Sequence, residues 1–379
     1  MRTIIAGARR RGQATQRLPS LNLQISGDSS QRVLVRYRSA RYNAATLQQR
    51  TNTSLPGSRA SAALTLRGLL LPCTTPFSEK EDPDPPGLRA NLRRWNTTGV
   101  RGYVVLGSTG ERLNLDEREY GAVIDVAREE VPQDLSFIVG AGQESRRGTI
   151  NEIKRAAAAG ADAVLVITPH FYRAAITQQA LIDHYTAVAD ASPVPVILYS
   201  MPDLTGIKIQ PETIAQLSTH PNIIGVKDSS ADVTGLKETI RLVRESAKAG
   251  PEDFAILSGN GTVLLDALQA GADGAILAVG CAAPQLCLEV LRGFKAGDTE
   301  RAAALQQTLA PLARAVTSKY GIGGLKAALD MVGYYGGPVR APLRSPDEAA
   351  RKEITQLLSD AQAVLAAYSL AAVPDSSES

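Results

Sequence analysis

The chain has 379 residues, 44% of them hydrophobic and 21% charged, an ordinary globular composition with ample length for a large core. Its net charge of +3 hides an asymmetry: residues 1–60 hold eleven arginines, no lysine and one acid, Asp28, so that segment carries +10 and the remainder −7. The body is therefore not basic, which argues against nucleic-acid binding, and it lacks the run of about eighteen apolar residues that a transmembrane helix needs.

The Arg-rich, Ser/Thr/Gln-rich segment 1–65 has the composition of a mitochondrial transit peptide. A disordered extension, or a start placed too early on a cytoplasmic protein, has the same composition. The fold is expected to begin near Leu66. Eight short apolar runs follow: LLLP (69–72), GYVVLG (102–107), SFIVGAG (136–142), AVLVITP (163–169), VPVILYS (194–200), IIGVKDS (223–229), FAILSG (254–259) and GAILAVG (274–280). Stretches with a helical apolar period separate most of them. Eight strands alternating with helices predict a (β/α)8 TIM barrel over 66–282. A doubly wound sheet would show a Gly-rich phosphate loop after its first strand, and CTTPFSEKEDPDPPG is no such loop. Residues 283–368 read as a C-terminal helical subdomain, and 369–379 as a frayed tail.

The three cysteines contain no CxxC pair, and the three histidines have no metal-ligand spacing. Neither a disulfide framework nor a metal is expected. In a TIM barrel the site lies at the C-terminal ends of the strands, so the polar residues closing each run are the candidates. In IIGVK, strict alternation turns Ile224 and Val226 toward the helices and Ile223, Gly225 and Lys227 toward the axis. An amine at that mouth loses water, which favours its neutral, nucleophilic form, able to build a Schiff base with a carbonyl. A lysine that snorkels, or that pairs with Asp228, fits the same pattern. Tyr199 ends the preceding strand as Lys227 ends the next, about 4.8 Å apart, so the two groups can share a cavity. A phenol there can carry a proton, although a core tyrosine reads alike. GSTGER (107–112) offers backbone N–H groups and the hydroxyls of Ser108 and Thr109 to a carboxylate, and is also ordinary turn chemistry. SGNG (258–261) is equally permissive.

In this order and on these strands, GSTGE, YSMPDLTG and GVKDSS resemble the dihydrodipicolinate synthase / N-acetylneuraminate lyase family of class I aldolases. TPF (75–77), TPHFY (168–172) and GIGGLK (321–326) add to the likeness, which spans roughly 68–345. The resemblance implies a barrel with a C-terminal helical part, a homotetramer, and a Schiff base between a lysine and a 2-oxo acid, usually pyruvate, with no cofactor. By motif, Lys227 is similar to that lysine and Tyr199 to the proton-transferring tyrosine. Ser108 and Thr109 match the positions that bind the pyruvyl carboxylate, Ser108 also joining the proton relay. Gly259, Asn260 and Ile276 match positions that line the pocket. ALIDHYTAVADASPVPVILYSMP, HPNIIGVKDSSADVT and GYYGGPVRAPL (333–343) are most similar to members that cleave 4-hydroxy-2-oxoglutarate to pyruvate and glyoxylate.

Two positions depart from the family. Synthases carry an arginine for the second substrate's carboxylate where this chain has Leu204. Many members also place a neighbouring subunit's tyrosine at the position of Phe171, which leaves Tyr172 or a water for the relay. The alternatives are a keto-deoxy sugar acid aldolase, a dihydrodipicolinate synthase, or a catalytically silent binding barrel.

Overall fold

The computed structural model describes residues 64–246 and 254–371. Nearly all of the expected extension and most of the expected tail lie outside the described residues. Eight parallel strands close a barrel in chain order: β1 (Gly68–Pro72), β2 (Gly102–Val105), β3 (Ser136–Ala141), β4 (Ala163–Ile167), β5 (Val196–Ser200), β6 (Ile223–Asp228), β7 (Ala255–Ser258) and β8 (Gly274–Ile276), with β8 returning to β1. Both faces of each strand are covered, which is why the strands read in the sequence as unbroken Val/Ile/Leu runs.

Helices fill the crossovers: α1 (Pro85–Trp95), α2 (Glu117–Glu130), α3 (Arg146–Ala158), α4 (Gln178–Ala191), the short α5 (Pro202–Thr205), α6 (Pro211–Leu217), α7 (Val233–Ser246) and α8 (Leu264–Ala270). Their starts are chemically marked. Asp116 and Glu119 form a reciprocal capping box at α2, while Ser145 and Thr177 cap α3 and α4. After β8 come α9 (Val279–Ala282), α10 (Pro284–Ala296), α11 (Thr299–Arg314), a π-helical turn (Ala315–Lys319), α12 (Gly321–Met331) and α13 (Glu348–Ala371).

Two apolar layers result. Leu70, Val104, Ile138, Leu165, Ile197 and Leu257 fill the barrel, while Leu71, Tyr103, Phe137 and Val164 face outward against Leu92, Ile124, Ile153 and Leu181 of the helices. The C-terminal helices join this outer layer. The Trp95 indole of α1 donates to the Cys281 carbonyl at 2.9 Å and stacks on Tyr334 at 5.2 Å between ring centroids.

Three local readings change. A register shift pairs Val196 with Ile223 but Ile197 with Gly225, so β6 gains a residue and its first two side chains exchange faces. Ile223 belongs to the outer layer and Ile224 packs on the barrel interior, the reverse of simple alternation, which resumes from Gly225 to Lys227. The eighth strand stops at Ile276, and the rest of its apolar run turns into α9. The C-terminal part is not helical throughout. Between Met331 and Glu348 the chain runs as an irregular strap over the barrel mouth, as its Gly-Gly-Pro and later prolines demand.

One buried group sets a pH dependence. His184 of α4 lies edge-on to Tyr185, and its Nε2 is buried with no hydrogen-bond partner among the described residues. Desolvation, reinforced by Arg146 and opposed by Glu144, pushes its pKa down from 6.5 to about 4. The unfolded chain then binds a proton that the folded chain refuses between those two values. Stability is therefore full above about pH 6.5 and falls as the pH drops toward 4, by about 3 kcal/mol in all. His184→Phe is expected to flatten that part of the acid limb when denaturant midpoints are compared across the interval. An unchanged slope would discard this assignment.

Candidate active site

Register brings the two strand-end residues together: Tyr199 of β5 pairs with Lys227 of β6. Both are buried, at 4% and 5% exposure, and the Lys227 amine lies 4.4 Å from the centre of the Tyr199 ring. Backbone bonds lock the neighbouring strand ends, Ser229 N–H to Ser200 O at 3.0 Å and Gly259 N–H to Asp228 O at 2.6 Å. Asp228 does not neutralise the lysine. Its carboxylate accepts from Ser230 N–H at 2.7 Å instead. Among the described residues, no ion pair or hydrogen bond engages the Lys227 amine.

Gly259 is required beside that amine. A Cβ at this position would stand 2.9 Å from Lys227 Cε and 2.0 Å from Ser229 Oγ, and something would have to move. Ser229 itself is a residue that the sequence reading passed over. It lies two positions beyond Lys227 on the same side of the strand direction, and its buried hydroxyl has no hydrogen-bond partner. Such orphaned hydroxyls are uncommon in a core and mark a polar site.

Ser108 and Thr109 open a 3-10 turn at Ser108–Gly110, so their N–H groups have no partner within it. No described residue hydrogen-bonds either hydroxyl. The turn is flanked by two non-glycine residues in the left-handed region, Leu106 at φ 58° and Glu111 at φ 54°. Such backbone costs about 1–3 kcal/mol per residue and persists where the surroundings enforce it.

A cavity of about 240 Å³ opens at this end of the barrel, with Ser108, Tyr199 and His170 in its walls. Most of the remaining wall is apolar: Leu106, Leu165, Ile167, Leu204, Ile322 and Leu343. Arg112 also contributes to this wall; it is 7% exposed, its guanidinium is paired with Glu152 at 3.0 Å, and its Nε has no hydrogen-bond partner among the described residues. Ile276 ends β8 within the same interior layer as Tyr199. The side-chain oxygen of Asn260 accepts from Thr262 N–H and Oγ–H, and the residue borders a separate small hollow beside Asp228. Phe171 and Tyr172 stand outside the cavity at 74% and 68% exposure, edge to face at 5.1 Å. Their loop is held by Glu144, whose carboxylate accepts from the N–H groups of His170 and Phe171.

The sequence profile of the dihydrodipicolinate synthetase family matches residues 65–361. A 4-hydroxy-tetrahydrodipicolinate synthase of Methanothrix thermoacetophila is 33% identical over 297 residues, 78% of this chain and 97% of that one. A probable mitochondrial 4-hydroxy-2-oxoglutarate aldolase of Emericella nidulans is 36% identical over 296 residues, 76% of this chain and 93% of that one. Among solved structures, YagE, a prophage protein of the dihydrodipicolinic acid synthase family from E. coli K12 in complex with pyruvate, superposes with a TM-score of 0.73. It is 30% identical, and the match covers 78% of this chain and 99% of that one.

Proposed function

The chain belongs to the dihydrodipicolinate synthetase family, and we propose that it is a class I aldolase cleaving 4-hydroxy-2-oxoglutarate reversibly to pyruvate and glyoxylate. What supports this most is the unpaired amine of Lys227 against the ring of Tyr199 at the mouth of a closed barrel. Lys227 attacks the C2 ketone, and loss of water leaves a protonated imine. Tyr199 takes the proton of the 4-hydroxyl as its own phenolic proton passes on through Ser108, the C3–C4 bond breaks, and its electrons flow into the imine to give an enamine. Glyoxylate leaves, the enamine is protonated at C3, and hydrolysis frees pyruvate and the lysine. Ser108 and Thr109 hold the C1 carboxylate through the open N–H groups and hydroxyls of their turn. Gly259 and Asn260 line the pocket beside the substrate in this scheme, with the Asn260 carboxamide oxygen held by Thr262 and its amide hydrogens left to donate.

Leu204 favours this substrate over the synthase reaction of the archaeal relatives. An apolar side chain stands in the cavity wall where the synthases carry a carboxylate-gripping arginine. The test is a panel assay on the wild-type chain. Glyoxylate release from 4-hydroxy-2-oxoglutarate is expected to exceed pyruvate release from a keto-deoxy sugar acid, and condensation of pyruvate with aspartate semialdehyde, by at least an order of magnitude in kcat/KM. The opposite ranking assigns one of those substrates instead.

Gly259→Ala is expected to slow borohydride trapping of pyruvate by about 10- to 100-fold, since a displacement near 1 Å at a reacting group has that effect. A rate within twofold of wild type would show that the amine tolerates the added methyl group.

The same proposal covers the organisation of the chain. Residues 1–65 act as a mitochondrial transit peptide, 66–282 form the barrel and 283–368 the helical subdomain. The composition of the segment and the mitochondrial name of the Emericella nidulans relative support that address. No helix among the described residues is long and apolar enough to cross a membrane. The exposed rings of Phe171 and Tyr172 suit burial against another copy in a homotetramer, which light scattering would measure.

A further inference from the structure

Three stretches of the sequence have no role in the proposed steps: TPF at 75–77, the lysine of GIGGLK, and GYYGGPVRAPL, of which only Leu343 reaches the cavity wall. All three converge on Glu111, the residue that closes the Ser108–Gly110 turn. Lys326 of α12 sets its Nζ 2.6 Å from Glu111 Oε1, with side-chain exposures of 1% and 0%. Nζ also donates to Pro338 O at 2.8 Å. The other Glu111 oxygen accepts from Arg340 N–H at 3.0 Å and from Asn114 Nδ2 at 3.3 Å. Thr75 Oγ–H donates to Gly110 O at 2.8 Å. The Phe77 ring carries both cations, Lys326 Nζ at 4.3 Å and Arg340 Cζ at 4.5 Å from its centre.

A buried ion pair is a poor source of stability, because two charges must leave water. This one grips the left-handed end of a strained turn, and through Pro338 and Arg340 it binds that turn to the strap. We propose that Glu111 and Lys326 are positioning residues: they hold the Ser108–Thr109 turn in the shape that receives the 2-oxo acid carboxylate, and the C-terminal helices and strap serve to supply that clamp. The inference rests on the assignment of Ser108 and Thr109 to the carboxylate. It adds that their conformation is imposed from α12 and not stored in the loop.

The test uses the full chain and borohydride trapping at Lys227 with two probes. Pyruvate carries the carboxylate; hydroxyacetone presents a ketone without one. In Lys326→Met and Glu111→Gln the half-saturating pyruvate concentration is expected to rise about 10- to 100-fold, the value of a charged hydrogen-bond partner. Hydroxyacetone trapping should stay within threefold. Single variants leave one buried charge unmatched and can fail to fold. The double variant Glu111→Gln/Lys326→Met removes both charges, and it should fold while showing the same selective loss for pyruvate. Unchanged pyruvate saturation in the folded double variant overturns the proposal, and so does equal weakening of both probes, which a merely structural role would give. A wild-type chain that forms no pyruvate adduct would instead remove the aldolase reading itself.

Discussion

Lys227→Ala is expected to abolish the borohydride-trapped pyruvate adduct, read as intact mass, and to lower 4-hydroxy-2-oxoglutarate cleavage by about 10⁴-fold or more, as loss of a covalent nucleophile does. The fold should survive. The lysine is buried without an ionic partner among the described residues, so its removal strands no counter-charge there. Asp228 keeps its bond to Ser230 N–H, and Gly259 keeps its bond to Asp228 O, so the ends of β6 and β7 stay fixed. The separation of effects is the point of the experiment. A structural lysine would lower the melting temperature and spare the adduct; the nucleophile does the reverse. An adduct of unchanged yield in the folded variant would move the covalent chemistry to another residue.

How far the chain discloses this in its sequence depends on the range of the contacts involved. The barrel is legible because each strand is buried on both faces and so becomes a short apolar run, punctuated by a turn residue. The pairing of Tyr199 with Lys227 is legible because both close consecutive parallel strands, which lie side by side about 4.8 Å apart. Alternation fails two residues earlier, at Ile223 and Ile224, because one extra residue in β6 is absorbed in the register with β5 and leaves no mark in the hydrophobic pattern. The strap lies inside the 283–368 region that reads as helical, although its own letters speak against a helix there. Gly336, Gly337 and Pro338 cannot continue a helix, and that chemistry outweighs the helical stretches on either side.

The Glu111 cluster lies beyond such reading. Its members come from four separate stretches of the chain, and no periodicity relates position 111 to position 326. What could have signalled it is the cluster's own expense: a glutamate and a lysine both placed in apolar surroundings, each unaffordable without the other. At Asn260 a contact of the opposite, local kind operates: an Asx-type turn to Thr262 engages its carboxamide oxygen. Ser229 was equally visible in the letters, as the next residue of β6's direction after Lys227. Only its orphaned, buried hydroxyl distinguishes it from the serines of ordinary turns.

Tyr199→Phe separates the phenol's chemistry from its packing. The ring is buried in the barrel interior and lies under the Lys227 amine, and phenylalanine keeps both contacts. The hydroxyl has no hydrogen-bond partner among the described residues, while the ring lines the cavity. Its removal therefore leaves no unsatisfied group behind, and the melting temperature should stay within about 2 °C, since a surface-like change of a few tenths of a kcal/mol shifts it no further. If the phenol carries the proton of the 4-hydroxyl, kcat for cleavage should fall by about 10²- to 10³-fold. The substrate should still load onto Lys227, so borohydride in the presence of 4-hydroxy-2-oxoglutarate would capture the uncleaved five-carbon adduct rather than the three-carbon pyruvyl one, and mass distinguishes the two. A variant that turns over within twofold of wild type would hand proton transfer to another group, with the buried Ser229 hydroxyl next in line by position.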